Sequence, residues 1–199
     1  MPVAHEVDRV APGIVLWQFY DPAVKADLFS TALNTPTGTC LIDPIPLAPG
    51  ARETLSGQGV SGIFVTNVNH ARAADQFARM FAVPIFVHSD LVGIADFPNA
   101  TAMPEGKTNG LTGIGIEGGP LGEMALHYDE AAGTIIVGDA LINFEPQGLG
   151  FLPAKYCRDV RQMRRSLEKL LDYKFDRMFF AHGTPILSGA RDRLEQLLR

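Results

Sequence analysis

Cysteine is scarce in this chain: Cys40 and Cys157 are the only two among 199 residues. They lie far apart and in segments of different type, which argues against a disulfide framework and for reduced, buried thiols. Long apolar runs are missing too. The amino terminus, Met1-Pro2-Val3-Ala4-His5-Glu6, has neither a basic nor an apolar leader region, so a soluble, cytoplasmic protein without a membrane partner is expected. Positive charge is in deficit, with 17 Lys and Arg against 22 Asp and Glu and a net charge of -5. A nucleic-acid partner is therefore not expected. There is no GxSxG elbow, no GxxxxGK loop and no CxxC pair, so serine-hydrolase, P-loop and zinc-ribbon readings have no support. Gly113-Ile114-Gly115-Ile116-Glu117-Gly118 imitates a dinucleotide fingerprint but lacks the strand before it and the helix after it.

Apolar residues are present in quantity. At 46% hydrophobic the chain can bury a large core, and no boundary divides it, so one domain over 1–199 is expected. Segments 13–20, 29–34 and 39–42 are rich in β-branched and aromatic residues and separated by Asp-Pro and Thr-Pro-Thr-Gly turns, which predicts an antiparallel meander. A helix over 49–56 is followed by the wholly apolar strand 62–65, a pattern that fits burial on both faces. Asn69 reads as the N-cap of a helix in which Ala73, Phe77 and Phe81 share a face, with strand 84–87 after it. Short strands at 112–117, 123–128 and 134–137 lead to a long helix over 158–173, a strand at 178–181 and a helix at 190–198. Segment 148–153, Gly148-Leu149-Gly150-Phe151-Leu152-Pro153, reads as a loop that either walls a cleft or merely connects. The sum is an α/β (α+β) domain with mixed sheets and helices outside.

Four places carry motifs. Thr66-Asn67-Val68-Asn69-His70-Ala71-Arg72 follows an apolar strand, Val137-Gly138-Asp139 and Ala181-His182-Gly183 each end one, and Thr39-Cys40-Leu41-Ile42-Asp43-Pro44 is a strand closing on an Asp. In order and spacing these resemble the metallo-β-lactamase superfamily, whose first motif is THxHxDH. The resemblance covers nearly the whole chain and implies an αββα sandwich of two mixed β-sheets.

It also implies a metal site with most of its ligands replaced. Asn67 and Asn69 stand at the first two His positions, Ala71 at the Asp and Arg72 at the third His. Gly118-Gly119-Pro120 aligns with the family's Gly-His pair, so that His is missing as well. Carboxamides suit zinc poorly, and a guanidinium repels a cation. Asp139 and His182 remain. His70, between two ligand positions, reads first as a solvent-facing helix-start residue and second as a recruited ligand. A buried Asp139 needs a counter-charge, so Arg72 is expected to occupy the old metal volume and bond it, with Asn67 and Asn69 completing the hydrogen bonds. Glu123 reads as an exposed residue or as a second carboxylate in the cleft, available for acid-base work. His5, His88 and His127 read as structural or solvated.

Two functions follow, and whether the protein is an enzyme stays open between them. The first is a non-catalytic or repurposed homologue with a pocket for a small molecule, lined by Asn67, Asn69, His70, Arg72, Gly119, Asp139 and His182, and no metal. The second is a hydrolase of a small ester or thioester, with Asp139, His182 and Glu123 as candidate catalytic groups and one zinc, iron or manganese ion on His70, Asp139 and His182. A β-lactamase is not expected, because enzymes of this family that attack antibiotics are exported. Apolar residues on the terminal helices could also serve a homo-oligomer.

Overall fold

The computed structural model describes residues 2–55 and 59–199. Strands β1 (Asp8–Ala11), β2 (Ile14–Asp21), β3 (Ala26–Thr35) and β4 (Gly38–Ile42) form an antiparallel meander. It continues in parallel through β5 (Val60–Phe64), β6 (Ile85–Val87) and β7 (Thr101–Ala102), giving a seven-stranded sheet in sequential order. The second sheet has the order β14-β11-β10-β9-β8, from β8 (Lys107–Thr108), β9 (Leu111–Gly115), β10 (Met124–Tyr128), β11 (Thr134–Val137) and β14 (Arg177–Phe180). Only β11 and β14 are parallel in it. Helices α1 (Pro49–Arg52) and α2 (Ala74–Phe81) belong to the first half of the chain, and α3 (Val160–Leu167) and α4 (Ala190–Leu198) to the second.

Side chains alternate between the two faces along a strand, so a central strand covered on both faces buries consecutive apolar residues. In β5 and just beyond it, Phe64 packs between the sheets with Leu33, Ile42, Leu126 and Phe179. Its neighbours Ile63 and Val65 face the other way, toward Trp17 and Phe77 under α2. The second sheet mirrors this: Ile136 and Phe179 point inward, while Ile135, Val137, Met178 and Phe180 pack against Met163 and Leu167 of α3 and Leu194 of α4. Both sheets are thus covered on both faces, and the layers run helix, sheet, sheet, helix. Each large side chain so buried contributes about 1.5–3 kcal/mol.

Several expectations need correction. Segment 148–151 is not a loop: β13 (Gly148–Phe151) pairs antiparallel with β12 (Leu141–Phe144) as a separate two-stranded ribbon. Its glycines disguise a strand whose partner supplies the stability. The helix expected over 158–173 is α-helical only over Val160–Leu167 and tightens to a 3-10 turn over Glu168–Asp172. Asp159 caps it, accepting from the backbone N–H groups of Arg161 and Gln162. Helix α1 ends at Arg52, and Ser56 of the expected 49–56 segment lies outside the described residues.

Candidate metal centre

The parallel strands β4 and β5 in one sheet and β11 and β14 in the other deliver the chain, just past their carboxyl ends, to Asp43, Thr66, Asp139 and His182. Phe29 N donates to Ala181 O across the two sheets at 3.0 Å, which ties the edges together beside the site. Gly138 is required where the sheets meet. A Cβ there would lie 2.5 Å from Thr66 Oγ1 and 2.9 Å from Glu123 Oε1.

After β5 the chain makes a 3-10 turn over Val68–His70, capped by Asn67, whose Oδ1 accepts from Asn69 N at 2.8 Å. Asn69 is therefore not the cap of α2. The turn aims the His70 ring into the interior, where the residue is 1% exposed rather than facing solvent. His70 Nδ1 lies 3.0 Å from Asp43 Oδ2 and 2.9 Å from Thr66 Oγ1, and Asp43 is itself held by Thr66 N at 2.8 Å and Thr66 Oγ1 at 2.6 Å. When the ring is neutral with its hydrogen on Nδ1 toward Asp43, Nε2 offers a lone pair to the site; when the ring is protonated, Nε2 carries a hydrogen toward Asp139. That nitrogen lies 3.2 Å from Asp139 Oδ1, is buried, and makes no hydrogen bond. His182 Nε2 approaches the same oxygen at 3.3 Å. The donor atoms of His70, Asp139 and His182 all lie within 4.8 Å of one another.

The other oxygen of Asp139 accepts from Asn67 Nδ2 at 3.1 Å and Asn69 Nδ2 at 3.2 Å. Asn67 Nδ2 also donates to Glu123 Oε2 at 2.6 Å, and Glu123 Oε1 accepts from Ala140 N at 2.9 Å. Glu123 is 2% exposed, against the expectation of an exposed residue. Gly119 matters here: a Cβ at that position would stand 3.0 Å from Glu123 Cγ and 3.1 Å from its Cβ. A side chain at 119 would therefore require Glu123 to give way by a few tenths of an ångström. Glu123 also walls a cavity of about 380 Å³ with Gly118, Gly119, His88 and Arg158.

Arg72 is turned inward, but it does not bond Asp139. With a left-handed backbone at φ 37, it sends Nη1 to the carbonyls of Phe29 at 2.9 Å and Asp43 at 3.2 Å. His70, not Arg72, takes the place beside Asp139, and Arg72 supplies the carbonyls at the strand ends instead. Asp43, part of a motif but not among the expected site residues, is thus the hub that sequence reading overlooked. The signal available was its place at the end of an apolar strand, where a charge needs partners. His127 is buried with Nε2 3.0 Å from Lys174 O, outside the site, and His5 is exposed.

Charges follow the contacts. Burial and the Arg72 cation both disfavour protonation of His70, but Asp139 and Asp43 more than reverse this and raise it to about 9. Asp139 and Asp43 are held below the usual carboxylate range, because the charge of His70, with His182 for the former and Arg72 for the latter, outweighs the cost of burial. Burial, then repulsion from Asp139, lifts Glu123 to about 8.

A family model for the metallo-beta-lactamase superfamily matches residues 7–199, and the chain belongs to that superfamily. Among solved structures, the DIM-1 metallo-beta-lactamase is similar with a TM-score of 0.74 at 13% identity, over 99% of this chain and 97% of that one. A metallo-beta-lactamase family protein from Thermus thermophilus is similar with a TM-score of 0.66 at 20% identity, over 96% of this chain and 79% of that one. TTHA1623 in a di-iron-bound form gives a TM-score of 0.60 at 19% identity, over 84% and 92% of the two chains. At such identities the likeness is one of fold. No curated protein matches the chain.

Proposed function

We propose that the protein is a mononuclear metal-dependent hydrolase of a small ester or thioester, with the ion held by His70, Asp139 and His182. The observation that carries this reading is His70 Nε2, buried without a hydrogen bond and facing an oxygen that His182 also faces. Two donors on a tetrahedral zinc, each at about 2.0–2.1 Å, are separated by about 3.3 Å. The separations of 3.2 and 3.3 Å match two of the three edges, both at Asp139 Oδ1, and the donor atoms of the two histidines lie within 4.8 Å of each other. Two imidazoles and a carboxylate suit zinc, iron or manganese. Asp43 at the back of His70 is the carboxylate partner that metal-bound histidines commonly have.

When bound, such an ion supplies Lewis acidity, polarising a carbonyl and lowering the pKa of a coordinated water toward about 7. The chain's own groups do the rest. Asp43 and Thr66 orient His70, and Asn67 and Asn69 hold Asp139 by its second oxygen, leaving its first for the cluster. Glu123 is engaged by Asn67 and by the Ala140 N–H, and it stands outside the cluster of His70, Asp139 and His182. This supports one ion rather than two. The unpaired thiols, Cys40 and Cys157, fit a reducing compartment such as the cytoplasm, and among the described residues no helix is long and apolar enough to cross a membrane.

One observation favours the competing reading, a non-catalytic protein with a residual pocket. Protonated at neutral pH, His70 bridges Asp43 and Asp139 as an imidazolium, and with Arg72 it balances both carboxylates with no metal. Metal content decides between the two. Untagged protein purified without chelator should carry about one equivalent of zinc, iron or manganese by plasma mass spectrometry, and His182→Ala should lose both the metal and ester turnover. Substoichiometric metal that does not rise on adding zinc would overturn the hydrolase reading.

A further inference from the structure

His182 is the most exposed of the three cluster residues, with its side chain 17% exposed against 9% for Asp139 and 2% for His70. His182 Nδ1 is 3.2 Å from Asp27 O, and both Asp27 and the residue after His182, Gly183, line a groove of about 470 Å³. That volume lies within the range of small-molecule sites, about 300–1,000 Å³. Its apolar lining includes Leu16 and Phe29 from the meander and Phe144 from the ribbon. Its charged lining consists of Asp8, Asp27 and Glu145, all exposed, with no Lys or Arg among the lining residues.

We propose that this groove is the substrate subsite and that it selects an acyl ester or thioester whose apolar body ends in a positively charged ammonium group. The class follows from the lining. An apolar body gains by leaving water against Leu16, Phe29 and Phe144, and an alkylammonium is favoured both by aromatic faces and by three carboxylates. A substrate bearing a carboxylate or phosphate meets the same three charges as repulsion, with no cation in the lining to receive it. The inference rests on the hydrolase reading for the word substrate, but the groove and its preference are testable as binding alone.

The test titrates the full-length, metal-free protein in chelator, where no turnover is expected, following backbone amide resonances. Three probes are compared: acetylcholine, its uncharged isostere 3,3-dimethylbutyl acetate, and an acetate ester ending in a carboxylate. The cationic ester should bind at least tenfold more tightly than the uncharged one, with shifts centred on Asp27, Phe29 and Phe144, and the anionic ester should not bind. The Asp27→Asn, Glu145→Gln double variant should remove most of that advantage, as should raising the salt to 0.5 M, because exposed charges are screened. Equal binding of the cationic and uncharged esters, shifts centred elsewhere, or no binding of any probe would overturn the proposal. A parallel turnover assay on metal-loaded protein separates the two claims. Groove binding without turnover leaves the subsite standing and removes the hydrolase, whereas turnover with no preference for the cation removes the subsite alone.

Discussion

Asn67 and Glu123, 56 residues apart in the chain, are joined by a 2.6 Å hydrogen bond in the interior. The same amide nitrogen reaches Asp139 at 3.1 Å, so one carboxamide links the two acidic side chains. Glu123→Ala should leave the Ala140 N–H without its acceptor and Asn67 with one acceptor fewer. The expected loss is about 2–4 kcal/mol by urea unfolding. A loss below about 1 kcal/mol would mean that the pair is solvated.

The metal-free protein should lose stability as pH rises above neutrality. His70 is raised from 6.5 to about 9 on folding and Glu123 from 4.5 to about 8. Each binds its proton more tightly folded than unfolded. The His70 contribution is therefore full below about 6.5 and lost as pH rises through about 9, and that of Glu123 is full below about 4.5 and lost through about 8. Asp43 and Asp139 act oppositely: lowered by folding, they stabilise above about 4 and lose that contribution as pH falls further. Thermal unfolding in chelator should show a maximum near about pH 4–4.5 and a decline from there toward pH 9, steepest between about 6.5 and 8, where both groups lose their contribution. A flat profile from pH 6 to 9 would contradict the imidazolium bridge.

Asp43→Asn should weaken metal binding without removing any of the three candidate ligands. Asp43 Oδ2 receives both Thr66 Oγ1 and His70 Nδ1, and loss of such a supporting carboxylate costs about 10–100-fold in affinity. Isothermal titration with zinc, on protein shown to be folded by circular dichroism, reads the change. Unchanged affinity would remove His70 from the ligand set.

Arg72→Ala should destabilise the fold without admitting a second metal. The side chain supplies the carbonyls of Phe29 and Asp43, and its removal should cost about 2–4 kcal/mol in urea unfolding. Had Arg72 stood in for an ion, the alanine variant would take up extra metal. Plasma mass spectrometry of this variant should find no more than in the unsubstituted protein.

Much of the fold was legible in the chain. Strands that close on an unbroken apolar run, Gly62-Ile63-Phe64 in β5 and Met178-Phe179-Phe180 in β14, announce burial on both faces, and Ala73, Phe77 and Phe81 share a face against the core as their spacing implies. The ribbon of β12 and β13 was not legible, because Gly148-Leu149-Gly150-Phe151 has weak strand propensity and is fixed by pairing with Leu141–Phe144. At the site, the motif positions of Asp139 and His182 could be read from residue type and order. The inward turn of His70 could not, since it depends on Asn67 capping a 3-10 turn and on Asp43 lying beneath the ring.

The sequence by itself determined the α/β class with mixed sheets, because that rests on local pattern, apolar periodicity and turn chemistry, and its motif order carried the resemblance to the family from which the layer order was drawn. Only the tertiary structure decided which charge answers which. Asp43, the pair His70 and Arg72, Glu123 and Asp139 come from four separate segments of the chain, and their pairing depends on separations of about 3 Å that strand register and sheet packing create. Electrostatic free energy falls with distance and rises with burial, and neither is written in the order of the residues. That is why Arg72, the evident counter-charge on paper, went to backbone carbonyls, and His70, expected at the surface, took its place beside Asp139.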